Sequence, residues 1–245
     1  WVDKHKVTSN AFSVDDFANY PHFMRRVREG YPNAHLSSII VWDQIDDHIV
    51  EKSKSNNVEF LNVRKDVSSD QAVSNEAVLV MQNANPDVMF LHYDDVDHAG
   101  HASGYSKTNT AYTGAIAGVD TYIGEVITAM KARPNYATED WMVIITTDHG
   151  GINNGHGGQS VDERTIFLLA SGGATPDGEV STETPGHVAV PPTALKHLGI
   201  AVDSNWGWEE GAFGVPVPKF SANPAGKHVI LNWSVPAGGI TNHTG

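Results

Sequence analysis

Five short apolar runs constrain the fold of this chain more than any other feature: SSIIVW (37–42), VEFLNV (58–63), DVMFLHY (87–93), WMVIITT (141–147) and RTIFLLAS (164–171). Each is rich in Ile, Val, Leu or Phe and shorter than a core helix, the signature of strands buried on both faces. Helical periodicity lies between them. Residues 69–85 open with cap-type side chains and stop before Pro86. Over residues 108–133, positions such as Tyr112, Ile116, Val119, Ile123, Val126 and Met130 share one face at 3.6 spacing, and Pro134 ends the run. A last helix over 190–200 starts on Pro191–Pro192 and ends on Gly199. Strand–helix alternation with buried strands predicts an α/β fold, a mostly parallel sheet with helices on both faces. Ligands of such sheets gather at the carboxyl ends of the strands.

The remaining texture limits what the chain does. With 245 residues it holds one large domain or two small ones. A net charge of −13 repels nucleic acid, which removes phosphate-backbone binding from the function classes. No apolar run is long enough to span a bilayer. The opening WVDKHKVTSN has no apolar leader, so a processed or truncated chain is expected. There is no cysteine but there are 13 histidines, so any bound metal must take nitrogen and oxygen ligands. Beyond Ile200 the Gly- and Pro-rich stretch 203–226 reads as a closing loop and linker, and KHVILNWSVPAGG (227–239) alternates like a fresh half-buried strand. The expected division is therefore a main domain over residues 1–215, then a linker and the start of a β-sandwich module over residues 216–245.

Two clusters follow strands. FLHYDDVDHAGHASGYS (90–106) crowds His92, Asp94, Asp95, Asp97, His98 and His101 together. Asp97 and His101 stand four apart on a turn that Gly100 loosens, a spacing that lets both face one cation. A solvated polar loop is the other reading of that stretch. In IITTDHGGINNGHGG, Asp148 and His149 end a strand and His156 lies in a glycine-rich loop, with Gly150–Gly151 offering a bend. Asp97, His101 and His156 would complete a three-ligand zinc site with an open position, and Asp148 with His149 would supply most of a second. Two close metal ions suit in-line displacement at phosphorus.

DVDHAGHASGY, TTDHGG followed by GHGG, RTIFLLASG and PPTALKHLGI together resemble the metal-binding half of the alkaline phosphatase superfamily, over most of Trp1 to about Gly211. Within it the chain is most similar to the nucleotide pyrophosphatase/phosphodiesterase branch. There WVDKHKVTSNAF matches the segment after the nucleophile at Asp3, His5, Val7 and Asn10, while Val2 replaces the usual Pro and Lys6 the usual Gly. The resemblance implies that Asn10 donates a hydrogen bond to a non-bridging phosphate oxygen. It also implies that the nucleophilic Thr or Ser, and one more metal-binding Asp on a first strand–helix unit, lie upstream of Trp1. Superfamily order favours His156 over His187 as third ligand of the first site. Asp94, Asp95 and His98 are left with supporting roles around the ligands, or none.

The expected activity is two-metal hydrolysis of a phosphodiester or nucleotide pyrophosphate through a covalent phospho-enzyme. Two divalent ions are implied, Zn²⁺ first and Mn²⁺ as the alternative. The Asp-x-x-Gly-His element and the Asp148–His149 pair disfavour a sulfatase. A phosphomonoesterase and an inert metal-binding fragment are the rival readings. The implied partner is a small phosphorylated substrate, and the resemblance places the protein in the periplasm or outside the cell.

Overall fold

The computed structural model describes residues 10, 20–50, 61–172, 184–208, 211–212, 219–225 and 228–234, the last two stretches by their backbone. At its centre runs β1, Leu36–Ile40, all five residues buried. It is flanked in parallel by β2, Val63–Asp66, and by β3, Val88–Leu91, in the order β2–β1–β3. The pleat sends successive side chains to opposite faces. Leu36 joins a cluster with Met24 and Val27 of α1 (Phe23–Gly30) and Leu195 of α6 (Val190–His197), whereas Ile39 joins Val73, Ala77, Val80, Val126 and Met130. Those residues belong to α2, Asp70–Asn83, and α4, Thr110–Lys131. Helices thus cover both faces of a parallel sheet, as the buried runs require.

Helix α2 is the crossover between β2 and β3. Ser69 caps its start by accepting the Ala72 N–H at 3.3 Å. Ser74 ties it to α4 by donating to the Tyr122 carbonyl at 2.9 Å. Arg133, just beyond α4, closes its other end by donating to the carbonyls of Met81 at 2.7 Å and Ala84 at 2.9 Å. A cation there meets the negative end of the helix dipole. The Arg133 guanidinium also holds the Glu139 carboxyl below its ordinary range.

The strand after α4, β4 (Met142–Thr146), pairs antiparallel with β5 (Leu168–Gly172). The 164–171 run therefore begins its strand four residues later than its apolar pattern suggests. Its first residue ends α5, Val161–Arg164, which a capping box between Ser160 and Glu163 nucleates. A four-residue helix cannot carry a chain back across a sheet face, so β5 returns beside β4 in the opposite sense. The sequence reading of 58–63 as a strand meets the structure only at its end: β2 starts at Val63, and residues 51–60 lie outside the described residues. Near the end of the chain β7, His228–Ser234, pairs with β6, Lys219–Ala225. The first matches the alternation in its sequence. The second lies in a stretch whose Gly and Pro content reads as linker.

Two polar groups withdrawn from solvent give the fold a definite response to pH. Burial pushes His22 from 6.5 down to about 3, against a backbone hydrogen bond that raises it. Burial raises Asp46 from 3.8 to about 6, opposed by the Ser38 hydroxyl, which donates to its Oδ1 at 2.7 Å. His22 stabilises the fold fully above its unfolded pKa and loses this as pH falls toward its folded one. Asp46 does the reverse: its contribution is complete below its unfolded pKa and is lost as pH rises through its folded pKa. Between about pH 4 and 6 the two slopes oppose, each of roughly 1 kcal/mol per pH unit. Urea unfolding across that window should show His22→Gln losing less stability with acid than the parent, and Asp46→Asn losing more. Parallel curves for all three proteins would refute the assignment.

Candidate metal centre

Asp97 and His101 lie on a helix rather than a turn: α3, Asp95–Ser103, which follows β3 after three residues. The start of α3 is held by a group from another helix. The buried Asp70 carboxylate accepts the N–H of Asp94 at 2.7 Å and of Asp95 at 3.0 Å. Burial raises Asp70 from its ordinary pKa, and the two backbone donors pull it back. With the helix axis so fixed, the i, i+4 spacing stacks Asp97 under His101, with Nε2 of His101 3.3 Å from Oδ2 of Asp97. The neighbouring pair, Asp94 and His98, meets at 3.2 Å on a more exposed strip.

The second segment descends from the end of β4. His149 Nδ1 lies 2.8 Å from the Gly150 carbonyl, and His101 Nδ1 lies 3.0 Å from that of Asn154. A carbonyl can only accept, so in each neutral ring Nδ1 carries the proton and Nε2 presents its lone pair. The loop then reverses through a tight turn, with Asn153 at φ 53° and paired bonds between Ile152 and Gly155. Asn is among the residues that tolerate this left-handed backbone. The reversal delivers His156 to the front of α3. Its Nε2 stands 3.1 Å from Nε2 of His101 and 3.6 Å from Oδ1 of Asp97.

Asp97, His101 and His156 thus offer one ligand atom each, all within 4.8 Å of one another. Two imidazoles and a carboxylate form a donor set suited to a divalent transition metal. His149 lies alongside, its ring stacked on His156 at 3.7 Å between centroids, with Nε2 3.8 Å from Oδ1 of Asp97. Asp148 extends the cluster outward, 3.5 Å from His149 and mostly exposed. The chain bends at Asp148, ahead of Gly150–Gly151, and the side chains of the adjacent Asp148 and His149 stay near one another.

The other candidates fall differently. His98 faces Asp94 and not the three converging groups, and Asp95 contributes its backbone N–H to Asp70 while its side chain is exposed. His187 opens the one-turn helix His187–Ala189 before α6, and among the described residues no hydrogen bond or ion pair joins it to Asp97. Asn10 is exposed in a bend, and the rest of the N-terminal motif lies outside the described residues.

Tyr105, Glu163 and Asp70 escape a reading of spacing, whereas His92 belongs to the crowded stretch 90–106. Tyr105 donates a short hydrogen bond to Oδ1 of Asp97, and burial followed by that carboxylate raises its phenol. His92, where β3 ends, is held below its ordinary value by burial although Asp94, Asp148, Asp70 and Asp97 pull it upward. Glu163 accepts from Gly158 N at 2.7 Å and Ser160 Oγ at 2.5 Å, bracing the loop that carries His156. Asp70 lies 24 residues from its partner Asp94, so no local pattern reveals it.

Comparison with known proteins identifies the family. Residues 3–184 match the family described as type I phosphodiesterase / nucleotide pyrophosphatase. A 2,3-bisphosphoglycerate-independent phosphoglycerate mutase of Haloquadratum walsbyi (strain DSM 16790 / HBSQ001) is 27% identical over 132 residues, 53% of this chain and 24% of that protein. The chain therefore spans about a quarter of that curated relative. The crystal structure of Ps i-CgsB superposes with a TM-score of 0.58 at 14% identity, covering 94% of this chain and 68% of that one. The same protein in complex with k-i-k-neocarrahexaose gives the same figures. At that identity the likeness is one of fold.

Two measurements check the site. Elemental analysis after metal loading should find bound metal reduced to less than about a tenth in His101→Ala and His156→Ala, but retained in His98→Ala. Asp70→Ala leaves two N–H groups of α3 without their acceptor and should cost about 2 kcal/mol in urea unfolding.

Proposed function

The chain belongs to the type I phosphodiesterase / nucleotide pyrophosphatase family of the alkaline phosphatase superfamily, and on that premise we propose that it serves metal-dependent hydrolysis of a phosphodiester or nucleotide pyrophosphate. The family and its mutase relative point to phosphoryl transfer in general. The observation that carries the finer reading is the convergence of Asp97, His101 and His156 with Asp148 and His149 beside them.

In this reading Asp97, His101 and His156 hold one divalent ion, zinc or alternatively manganese, and Asp148 and His149 contribute to a second. Bound there, the ions would supply positive charge to the oxygens of the transferring phosphoryl group. The protein's own share is preorganisation. Carbonyl partners hold the imidazoles of His101 and His149 with Nε2 outward, so little reorganisation remains when the ion and substrate arrive. Asn10 donates to a non-bridging oxygen. A Thr or Ser outside residues 1–245 attacks phosphorus, its Oγ–P bond forming as the ester P–O bond breaks, and water then cleaves the Oγ–P bond.

Asn10 is also what favours a diester over a monoester. A neutral donor accommodates a phosphoryl group bearing a second substituent, where a cationic side chain would favour the dianionic monoester. With a net charge of −13, the substrate is a small phosphorylated molecule rather than a nucleic acid. Among the described residues no helix is long and apolar enough to cross a membrane, and we place the protein, on the family resemblance, in the periplasm or outside the cell.

The test is turnover of bis-p-nitrophenyl phosphate against p-nitrophenyl phosphate by the full-length protein, loaded with zinc. A preference for the diester, with kcat/KM for it falling about 100-fold in Asn10→Ala, is the expected result. Preference for the monoester would establish a phosphomonoesterase, and turnover of neither would leave a metal-binding protein without this activity.

A further inference from the structure

Nothing in the metal-site reading gives Tyr105 a task, yet three features of the structure converge on it. Its hydroxyl donates to Oδ1 of Asp97, the carboxylate oxygen that also faces His156 at 3.6 Å and His149 at 3.8 Å, while Oδ2 faces His101 at 3.3 Å. The bond therefore sets the rotation of the one carboxylate that every imidazole of the cluster looks toward.

The ring beneath that hydroxyl is clamped between two segments. A Cβ on Gly100 of α3 would lie 2.3 Å from the Tyr105 ring, and so would a Cβ on Gly151 of the loop after β4. Neither glycine has a positive φ. Their lack of a side chain serves space, not backbone freedom, and the space is filled by one aromatic ring. The edges of His101 and Tyr112 close the remaining sides at 5.7 and 5.5 Å.

The backbone of Tyr105 completes the link. Its N–H donates to the Asn153 carbonyl at 2.7 Å, and the next residue, Asn154, donates through Nδ2 to the His101 carbonyl at 3.0 Å. Helix α3 and the loop bearing His156 are thus joined on both sides of the ring.

We propose that Tyr105 is a positioning residue which orients the Asp97 carboxylate and holds α3 in register with the His156 loop, so that a divalent cation meets its three donors already placed. The proposal rests on the reading of Asp97, His101 and His156 as metal ligands. Outer partners of metal ligands contribute roughly 10- to 100-fold to affinity.

The experiment is titration of the metal-free protein with Co²⁺, followed by visible absorbance, together with thermal unfolding without metal. Tyr105→Phe keeps the ring between the glycines and removes the hydroxyl. It should bind Co²⁺ about 10- to 100-fold more weakly, with altered absorption bands, while the unfolding midpoint of the metal-free form stays near that of the parent. Gly151→Ala displaces the ring by a different route and should also weaken Co²⁺ binding. Both variants binding Co²⁺ with the parent's affinity and spectrum would overturn the role of Tyr105 and leave the metal site standing. Parent and His101→Ala binding Co²⁺ alike, or neither binding it, would overturn the metal site and this proposal with it.

Discussion

A carboxylate with no exposed surface, Asp70, holds the N-terminus of α3, and the geometry of the centre depends on it. Burying an anion is costly unless its lone pairs are met, and here two backbone N–H groups at the positive end of a helix meet them. In return α3 cannot rotate about its axis, so the stripe bearing Asp97 and His101 faces the loop after β4. Because Asp70 is the first residue of α2, the same bond ties the crossover helix to the site-bearing helix. Arg133 fixes the far end of α2 against the chain leaving α4. The centre rests on elements pinned at both ends.

That arrangement also accounts for the crowding of acids. Asp70, Asp94, Asp95 and Asp97 lie close together, a repulsive grouping in isolation. The dipole of α3 offsets part of it. A divalent cation would offset the most, which is a physical reason for acids and histidines to be gathered here. The glycines add a steric condition. Gly150 abuts the Asp162 carbonyl, where a Cβ would lie 2.0 Å away, and Gly151 abuts the Tyr105 ring.

Much of the fold was legible in the residues. Strands β3 and β4 lie inside their apolar runs, β1 begins one residue before its own, and α2 and α4 stop before Pro86 and Pro134 as their breakers require. The direction of β5 was not legible, because strand sense depends on what connects the strands. The capping box that absorbs Arg164 into α5 is visible only once Ser160 is known to precede a helix. Lys219–Ala225 misleads for the opposite reason: its Gly and Pro neighbours read as linker, and pairing with β7 overrides that local preference.

In the candidate site, residue identity and spacing marked Asp97, His101, Asp148, His149 and His156 as candidates beside a polar-loop reading, and the family resemblance chose His156 over His187. Which groups share one point in space was not contained in the spacing. Residues 97 and 156 meet because a tight turn at Asn153 reverses the loop and a tyrosine ring fills the gap between two glycines. Asp70 and Tyr105 were invisible for the same reason. Each acts across a contact between separately folded segments, and one-dimensional patterns report the periodicity within a segment, not the face it turns to its neighbour.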